Sequence, residues 1–255
     1  MEFSMRICRG KRHYIHSTAP PTRVALFFRK ENNMELQGKI IHFLGDSITE
    51  GVGVSHPSKI YHALLKEQYG LKEANNYGIS GTCLADRRTP LEVESFNRHF
   101  VSRVGEMAPE ADAIVVFGGT NDFGHGEVIM GTPNDRTPDT FYGACHHLYR
   151  TLIDKYPTIP IVVMTPLHRW YEDVPQIRTT ADGMVKEAVT LRTYVEIIRE
   201  VAGYYGLPLC DLYATAGFHP EIPSQREALC PDGLHPNDAG HVIIASRLAG
   251  VLKSL

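Results

Sequence analysis

The sequence predicts an α/β fold: a parallel sheet with helices over both faces, in a single large domain. Three observations predict it. Short apolar runs alternate with stretches of helical period from residue 40 onward, the pattern of a sheet wound with crossover helices. The first run, Ile40-Ile41-His42-Phe43-Leu44, has one polar residue in five, as a strand buried on both faces requires. The chain length, 255 residues, suits one large α/β domain.

Ile40–Leu44 is the first strand, and Lys59–Tyr69 lies in a helix after it. Asn76–Ser80 is a weaker second strand. Ala113–Phe117 and Ile161–Met164 are strong third and fourth strands, the latter preceded by Pro160 and stopped by Pro166. Leu207–Leu212 completes a set of five. Met184, Ala188, Leu191, Val195, Ile198, Ala202 and Tyr205 recur at spacings of four and three, which predicts one face of a long helix. Asn237 caps a last helix with Val242, Ala245, Ala249 and Leu252 turned inward. Two connections, residues 123–138 and 167–183, exceed the ~2–6 residues usual in such folds. Length at a strand's carboxyl end commonly shapes a pocket.

Composition excludes several classes. The chain is 43% hydrophobic and 22% charged with a net charge of −3, so electrostatics favours neither nucleic acid nor an anionic membrane surface. No apolar stretch approaches the ~20 residues of a membrane span. Five scattered cysteines (Cys8, Cys83, Cys145, Cys210, Cys230), with no Cys-x-x-Cys, read as reduced thiols in a cytoplasmic protein. Residues 1–33 carry seven basic and two acidic residues. Their one compact apolar run, Val24–Phe28, is too short for a signal-peptide core. These residues are an extension, and the domain proper covers 34–255. Nothing in the sequence signals an oligomeric state.

Chemistry-bearing residues gather where strands end. "GDSITEG" (45–51) puts Ser47 after the first strand, and Gly78-Ile79-Ser80-Gly81-Thr82 follows the second. Gly118-Gly119-Thr120-Asn121-Asp122 follows the third, and Asp232-Gly233-Leu234-His235-Pro236 precedes the last helix. In a parallel sheet these loops share one rim, where such folds keep their ligands. A serine hydroxyl becomes a nucleophile when a base takes its proton, as His235 could. Asp232, three residues earlier, could hold the imidazole tautomer. Gly81, Asn121 and the Ser47 N–H offer donors for an oxyanion. A second Asp-x-x-His, Asp122 to His125, competes. It would oblige one tight turn to supply donor, orienter and base together, so His235 is preferred.

These four blocks resemble those of the SGNH (GDSL-type) hydrolases, a family of esterases and lipases, over about residues 38–252. "GDSITEG" looks like the nucleophile block, "NYGISG" the glycine block, "GGTND" the asparagine block and "DGLHP" the Asp-x-x-His block. The resemblance implies a flavodoxin-like, three-layer α/β/α sandwich around a five-stranded parallel sheet. It also implies ester hydrolysis through Ser47, Asp232 and His235, with an oxyanion hole of Ser47, Gly81 and Asn121, and no metal or other cofactor.

The expected substrate is a small-molecule ester, a short acyl (acetyl) ester of a carbohydrate, with Trp170-Tyr171 either stacking on the sugar ring or packing a lid. A lysophospholipase or acyl thioesterase is the alternative on the same site. A non-catalytic ligand-binding domain is the alternative of another class. Asp46 reads as a loop-holding residue. Cys145-His146-His147 lies in a helix, where adjacent side chains point apart, and is not a metal site. Arg87, Arg88, Arg136, Arg169 and Arg178 read as solvated surface, and Cys83 as a small buried apolar residue.

Overall fold

Seven strands form in chain order in the computed structural model, which describes residues 34–255. They are β1 (Ile40–Gly45), β2 (Glu73–Gly78), β3 (Ala113–Phe117), β4 (Ile161–Met164), β5 (Gln176–Thr179), β6 (Lys186–Val189) and β7 (Leu209–Cys210). Five make one sheet in the order β2-β1-β3-β4-β7, with every neighbouring pair parallel. β5 and β6 pair with each other as an antiparallel hairpin outside it.

Nine α-helices accompany the strands among the described residues: α1 (Ser47–Glu50), α2 (Tyr61–Tyr69), α3 (Phe100–Val104), α4 (Thr120–His125), α5 (Phe141–Lys155), α6 (Leu191–Tyr204), α7 (Leu212–Thr215), α8 (Pro223–Leu229) and α9 (Asp238–Lys253). Alternate strand residues point to opposite faces. Leu44, Ile114, Val116 and Val163 pack with α3, α5 and α6. Phe43, Val115, Phe117, Val162 and Met164 pack with α2 and α9. Two apolar cores thus enclose the sheet in the expected three layers.

Register brings the chemistry together. Gly45, at the end of β1, lies beside Gly78 of β2 and Phe117 of β3. The loops leaving three adjacent strands therefore start side by side. Arg103 of α3, 2% exposed, ties the first two together. Its guanidinium donates to the carbonyls of Gly45 and Tyr77 and to the Thr82 hydroxyl. Burial lowers its pKa to about 10, so it stays charged at neutral pH.

Several expectations shift. β2 runs Glu73–Gly78 rather than Asn76–Ser80, because an edge strand needs little apolar content; its residues are Glu-Ala-Asn-Asn-Tyr-Gly. β7 keeps only two of the six residues expected over Leu207–Leu212, since Asp211 turns to cap α7. A 3-10 turn, Pro57–Lys59, precedes α2. The long helix begins at Leu191 instead of Met184: Thr190 is extended, and Ala188 belongs to the hairpin. Met184 is 82% exposed. In α9, Asn237 caps as expected and Ala245, Ala249 and Leu252 face inward, but Val242 is exposed and Ile244 and Leu248 take its place. The expected extension, residues 1–33, lies outside the described residues. No helix among the described residues is long and apolar enough to cross a membrane.

Replacing Arg103 by Met would remove its hydrogen bonds to the Gly45 and Tyr77 carbonyls and the Thr82 hydroxyl, at a cost of about 2–4 kcal/mol in unfolding free energy. Urea denaturation of the two proteins checks this, and a difference near zero would show that Arg103 does not secure the rim.

Candidate active site

Ser47 stands at the first position of α1, the turn that follows β1 directly. Asp46 caps that turn, its carboxylate accepting the Ile48 N–H at 3.0 Å. Ser47 itself is 5% exposed. Its own N–H, first in the helix, has no acceptor within the helix.

Asp232 and His235 come from the loop between α8 and α9. His235 Nε2 lies 3.0 Å from Ser47 Oγ. On the other side of the ring, His235 Nδ1 donates to Asp232 Oδ2 at 2.6 Å. The second Asp232 oxygen accepts the backbone N–H groups of Leu234 and His235 at 2.8 and 2.7 Å. Burial opposes the charge on Asp232, yet these hydrogen bonds outweigh it and hold the pKa below the usual carboxylate value. A carboxylate that stays ionised fixes the imidazole tautomer and can stabilise an imidazolium.

Gly81 lies in the loop after β2 with φ of +72°, and a Cβ there would meet the Phe96 ring at 2.7 Å. Only glycine gives that backbone both its left-handed geometry and its space. Among the described residues none takes the Gly81 N–H. Glu50, from the "GDSITEG" stretch, accepts the Ser80 N–H at 2.6 Å and the Ser80 hydroxyl, tying the glycine loop to α1. Asn121 is 6% exposed on α4. One hydrogen of its amide goes to the Thr82 carbonyl at 3.0 Å, which aims the other away from it. Ser47, Gly81, Asn121 and His235 line one recess of about 300 Å3, with Val52, Ser80, Phe96 and Leu234 as its remaining walls.

The competing Asp-x-x-His copy does not assemble. Asp122 accepts the N–H groups of Leu84 and Ala85, and His125 Nδ1 faces Arg87. Trp170 and Tyr171 stack on each other, 4.7 Å between centroids, and neither lines the recess. The Trp170 ring also lies under the Arg226 guanidinium. The two long connections contribute nothing to the recess either. They wall a separate cavity of about 350 Å3 with Asp86, Arg87 and Arg88.

Arg178, expected in solvent, is 5% exposed and donates to Tyr194 and to the carbonyls of Asp122 and Phe123. Arg169 is likewise drawn inward, to Thr120. Cys83 and Cys145 are buried, as is His146, whereas His147 is exposed. Val52, Phe96 and Leu234 carry no sequence signal beyond being apolar. Glu50 was findable, since an acid three residues after Ser47 is free to reach a neighbouring loop.

His168, Glu172 and His219 have ligand-type atoms within 4.8 Å of one another. The two imidazoles stack at 4.2 Å with 23° between planes. Imidazole lone pairs lie in the ring plane, so stacked rings do not converge on one ion, and the cluster has the form of a hydrogen-bonded stack.

The sequence model of the GDSL-like lipase/acylhydrolase family matches residues 43–243. The chain belongs to this family. Its members are carboxylic ester hydrolases. A protein of solved structure from Lactobacillus plantarum is 31% identical, with a TM-score of 0.70 over 86% of this chain and 98% of that one. A possible lipase from Chitinophaga pinensis is 22% identical (TM-score 0.57; 84% and 97% covered). Axe2, an acetylxylan esterase from Geobacillus stearothermophilus, is 21% identical (TM-score 0.55; 86% and 96% covered). These two share the fold. No curated protein matches the chain.

Burial raises the pKa of Asp46 to about 7. A carboxyl whose folded pKa lies above its unfolded value holds its proton longer in the folded state. Folding stability is then lost as pH rises from about 4 toward 7, by about 1.4 kcal/mol for each pH step of one across that window. Asn retains the cap without the titration. Asp46→Asn should therefore gain stability relative to wild type between pH 4.5 and 8, read from urea midpoints; a difference independent of pH would contradict it.

Proposed function

We infer that the protein is a serine esterase acting through Ser47, His235 and Asp232. What carries the reading is the continuous hydrogen-bonded line from Asp232 through His235 to Ser47, in the recess that also holds Gly81 and Asn121. Ser47 Oγ attacks the ester carbonyl as His235 Nε2 takes its proton. The N–H groups of Ser47 and Gly81 and the free Asn121 amide hydrogen receive the oxyanion. His235, its imidazolium paired with Asp232, returns the proton to the leaving alcohol. Water deprotonated by the same imidazole then attacks the acyl-enzyme, and Ser47 is restored.

The recess favours a short acyl group. At about 300 Å3 it sits at the small end of the ~300–1,000 Å3 range of small-molecule sites. Val52, Phe96 and Leu234 give it apolar walls suited to a methyl or short alkyl group. The favoured substrate is an acetyl ester of a carbohydrate, in keeping with the fold shared with an acetylxylan esterase. The described cysteines, Cys83, Cys145, Cys210 and Cys230, are all free, which agrees with a reducing, cytoplasmic setting.

Ser47→Ala should abolish p-nitrophenyl acetate hydrolysis and labelling by a fluorophosphonate. Asn121→Ala should lower kcat by about 10²–10³. Labelling or turnover that survives in Ser47→Ala would refute the nucleophile, and a wild type without either would favour the ligand-binding alternative.

Phe96 closes the recess against Gly81, so Phe96→Ala should shift the preferred p-nitrophenyl ester from acetate toward hexanoate or longer. An unchanged chain-length series would remove Phe96 from the specificity wall, and a wild-type preference for octanoate would favour the lysophospholipase or thioesterase alternative.

A further inference from the structure

The turn over residues 168–172 reaches both halves of the site while lining neither. The Arg169 guanidinium donates to the Thr120 carbonyl at 3.0 Å and to the Thr120 hydroxyl at 3.2 Å. Thr120 immediately precedes the oxyanion donor Asn121. The Trp170 N–H donates to the Gly233 carbonyl at 2.7 Å, and Gly233 lies between Asp232 and His235. Packing there is tight: a Cβ on Gly233 would stand 2.6 Å from the Trp170 Cβ. The Tyr171 N–H continues the line to Glu221 at 2.7 Å.

One buried carboxylate closes the turn. Glu172, 2% exposed, accepts the Arg169 N–H through Oε2 at 2.7 Å. Its Oε1 accepts His168 Nδ1 at 2.7 Å and the Tyr213 hydroxyl at 3.0 Å. The His168 ring itself packs at a tilt against Tyr213 and stacks on His219. Glu172 thus binds residues three and four positions back on its own turn and one from the segment after β7, so the turn has little freedom to move.

Acyl transfer needs the base and the oxyanion donor at fixed separation, and a misplacement of ~1 Å costs on the order of 10²-fold in rate. The loop that bears the base has no regular structure of its own, and the Asp232 side chain is 55% exposed. It needs an outside support.

We propose that Glu172 and Arg169 are positioning residues: the turn they lock holds the Asp232–His235 loop at a fixed distance from Asn121, and so sets kcat rather than substrate affinity. This rests on the esterase reading for its kinetic half. Its structural half concerns the loop alone.

Two variants test it. Glu172→Gln keeps the shape but puts an amide group where carboxylate oxygens accept from Arg169 and His168. Arg169→Met removes the link to Thr120 at the edge of the core. Each should lower kcat for p-nitrophenyl acetate about tenfold or more with KM within about twofold, as expected for a group that acts on the transition state alone. Arg169→Lys, which keeps one charged donor, should recover part of the loss. Hydrogen exchange over residues 230–236 should quicken in Glu172→Gln. Trp170, the only tryptophan in the chain, should change its emission.

A rise in KM alone would overturn the proposal, as would a lowered Tm with kcat per fluorophosphonate-titrated site unchanged. Activity or Tm that responds to Zn2+ and EDTA in wild type but not in Glu172→Gln would overturn it by making the cluster a metal site. If wild type neither turns over nor labels, the esterase reading has failed; unchanged exchange over 230–236 would then separately overturn the positioning of the loop.

Discussion

Backbone carbonyls at the carboxyl rim of the sheet need donors, and buried guanidinium groups supply them. Where β1, β2 and β3 end, their chains turn away together, and the carbonyls of that turning backbone and of α4, which follows β3, bond partly outside the strand ladders: Gly45 accepts the Ile79 N–H and Asp122 the Gly126 N–H. Arg103 takes those of Gly45 and Tyr77, Arg169 that of Thr120, and Arg178 those of Asp122 and Phe123. A buried carbonyl without a partner costs ~1–3 kcal/mol, and each guanidinium can serve several acceptors in a fixed fork. The loops that bear Ser47, Gly81 and Asn121 keep their mutual spacing because these cations are in place.

The same cations alter the electrostatics of the site. Asp46 and Asp122 lie fully buried beside them, and burial pushes their pKa values up to about 7 and 6. Arg103 and Arg169 act against that rise at Asp46, and Arg178 at Asp122. Buried carboxylates and guanidiniums thus share the space beneath Ser47 and Asn121, and the charge of each bears on that of the other.

What the sequence disclosed follows from range. β1, β3 and β4 announce themselves because a strand buried on both faces must be apolar throughout, and the Asn237 cap because its rule is local. The four blocks "GDSITEG", "NYGISG", "GGTND" and "DGLHP" were legible because each puts unusual residue types at a strand or helix end. The hairpin was not. Met184 and Ala188 prolong the helical spacing of Leu191 and Val195 by coincidence, and only tertiary contact separates the two states: Arg178 of β5 is anchored under α4, and Glu187 of β6 accepts the Met130 N–H. Arg103, Arg169 and Arg178 were illegible for a related reason. A lone arginine looks solvated until the carbonyls it serves are known, and these lie up to 58 residues away.

Ser47 and His235 are held in opposite ways. Ser47 is fixed by the core: its turn begins where β1 stops, capped by Asp46 and surrounded by buried side chains. His235 belongs to a loop whose acid is half exposed, and its geometry must be assembled from hydrogen bonds. The loop closes on itself through the Gly233 N–H to the Cys230 carbonyl, and its far end is pinned as the Asn237 N–H and side-chain amide donate to Leu229 and Ala228. The Trp170 N–H meets it from outside. A site of this kind combines a rigid half inherited from the sheet with a half held by a few specific bonds. Substitutions that reduce activity without unfolding the protein therefore belong on the second half.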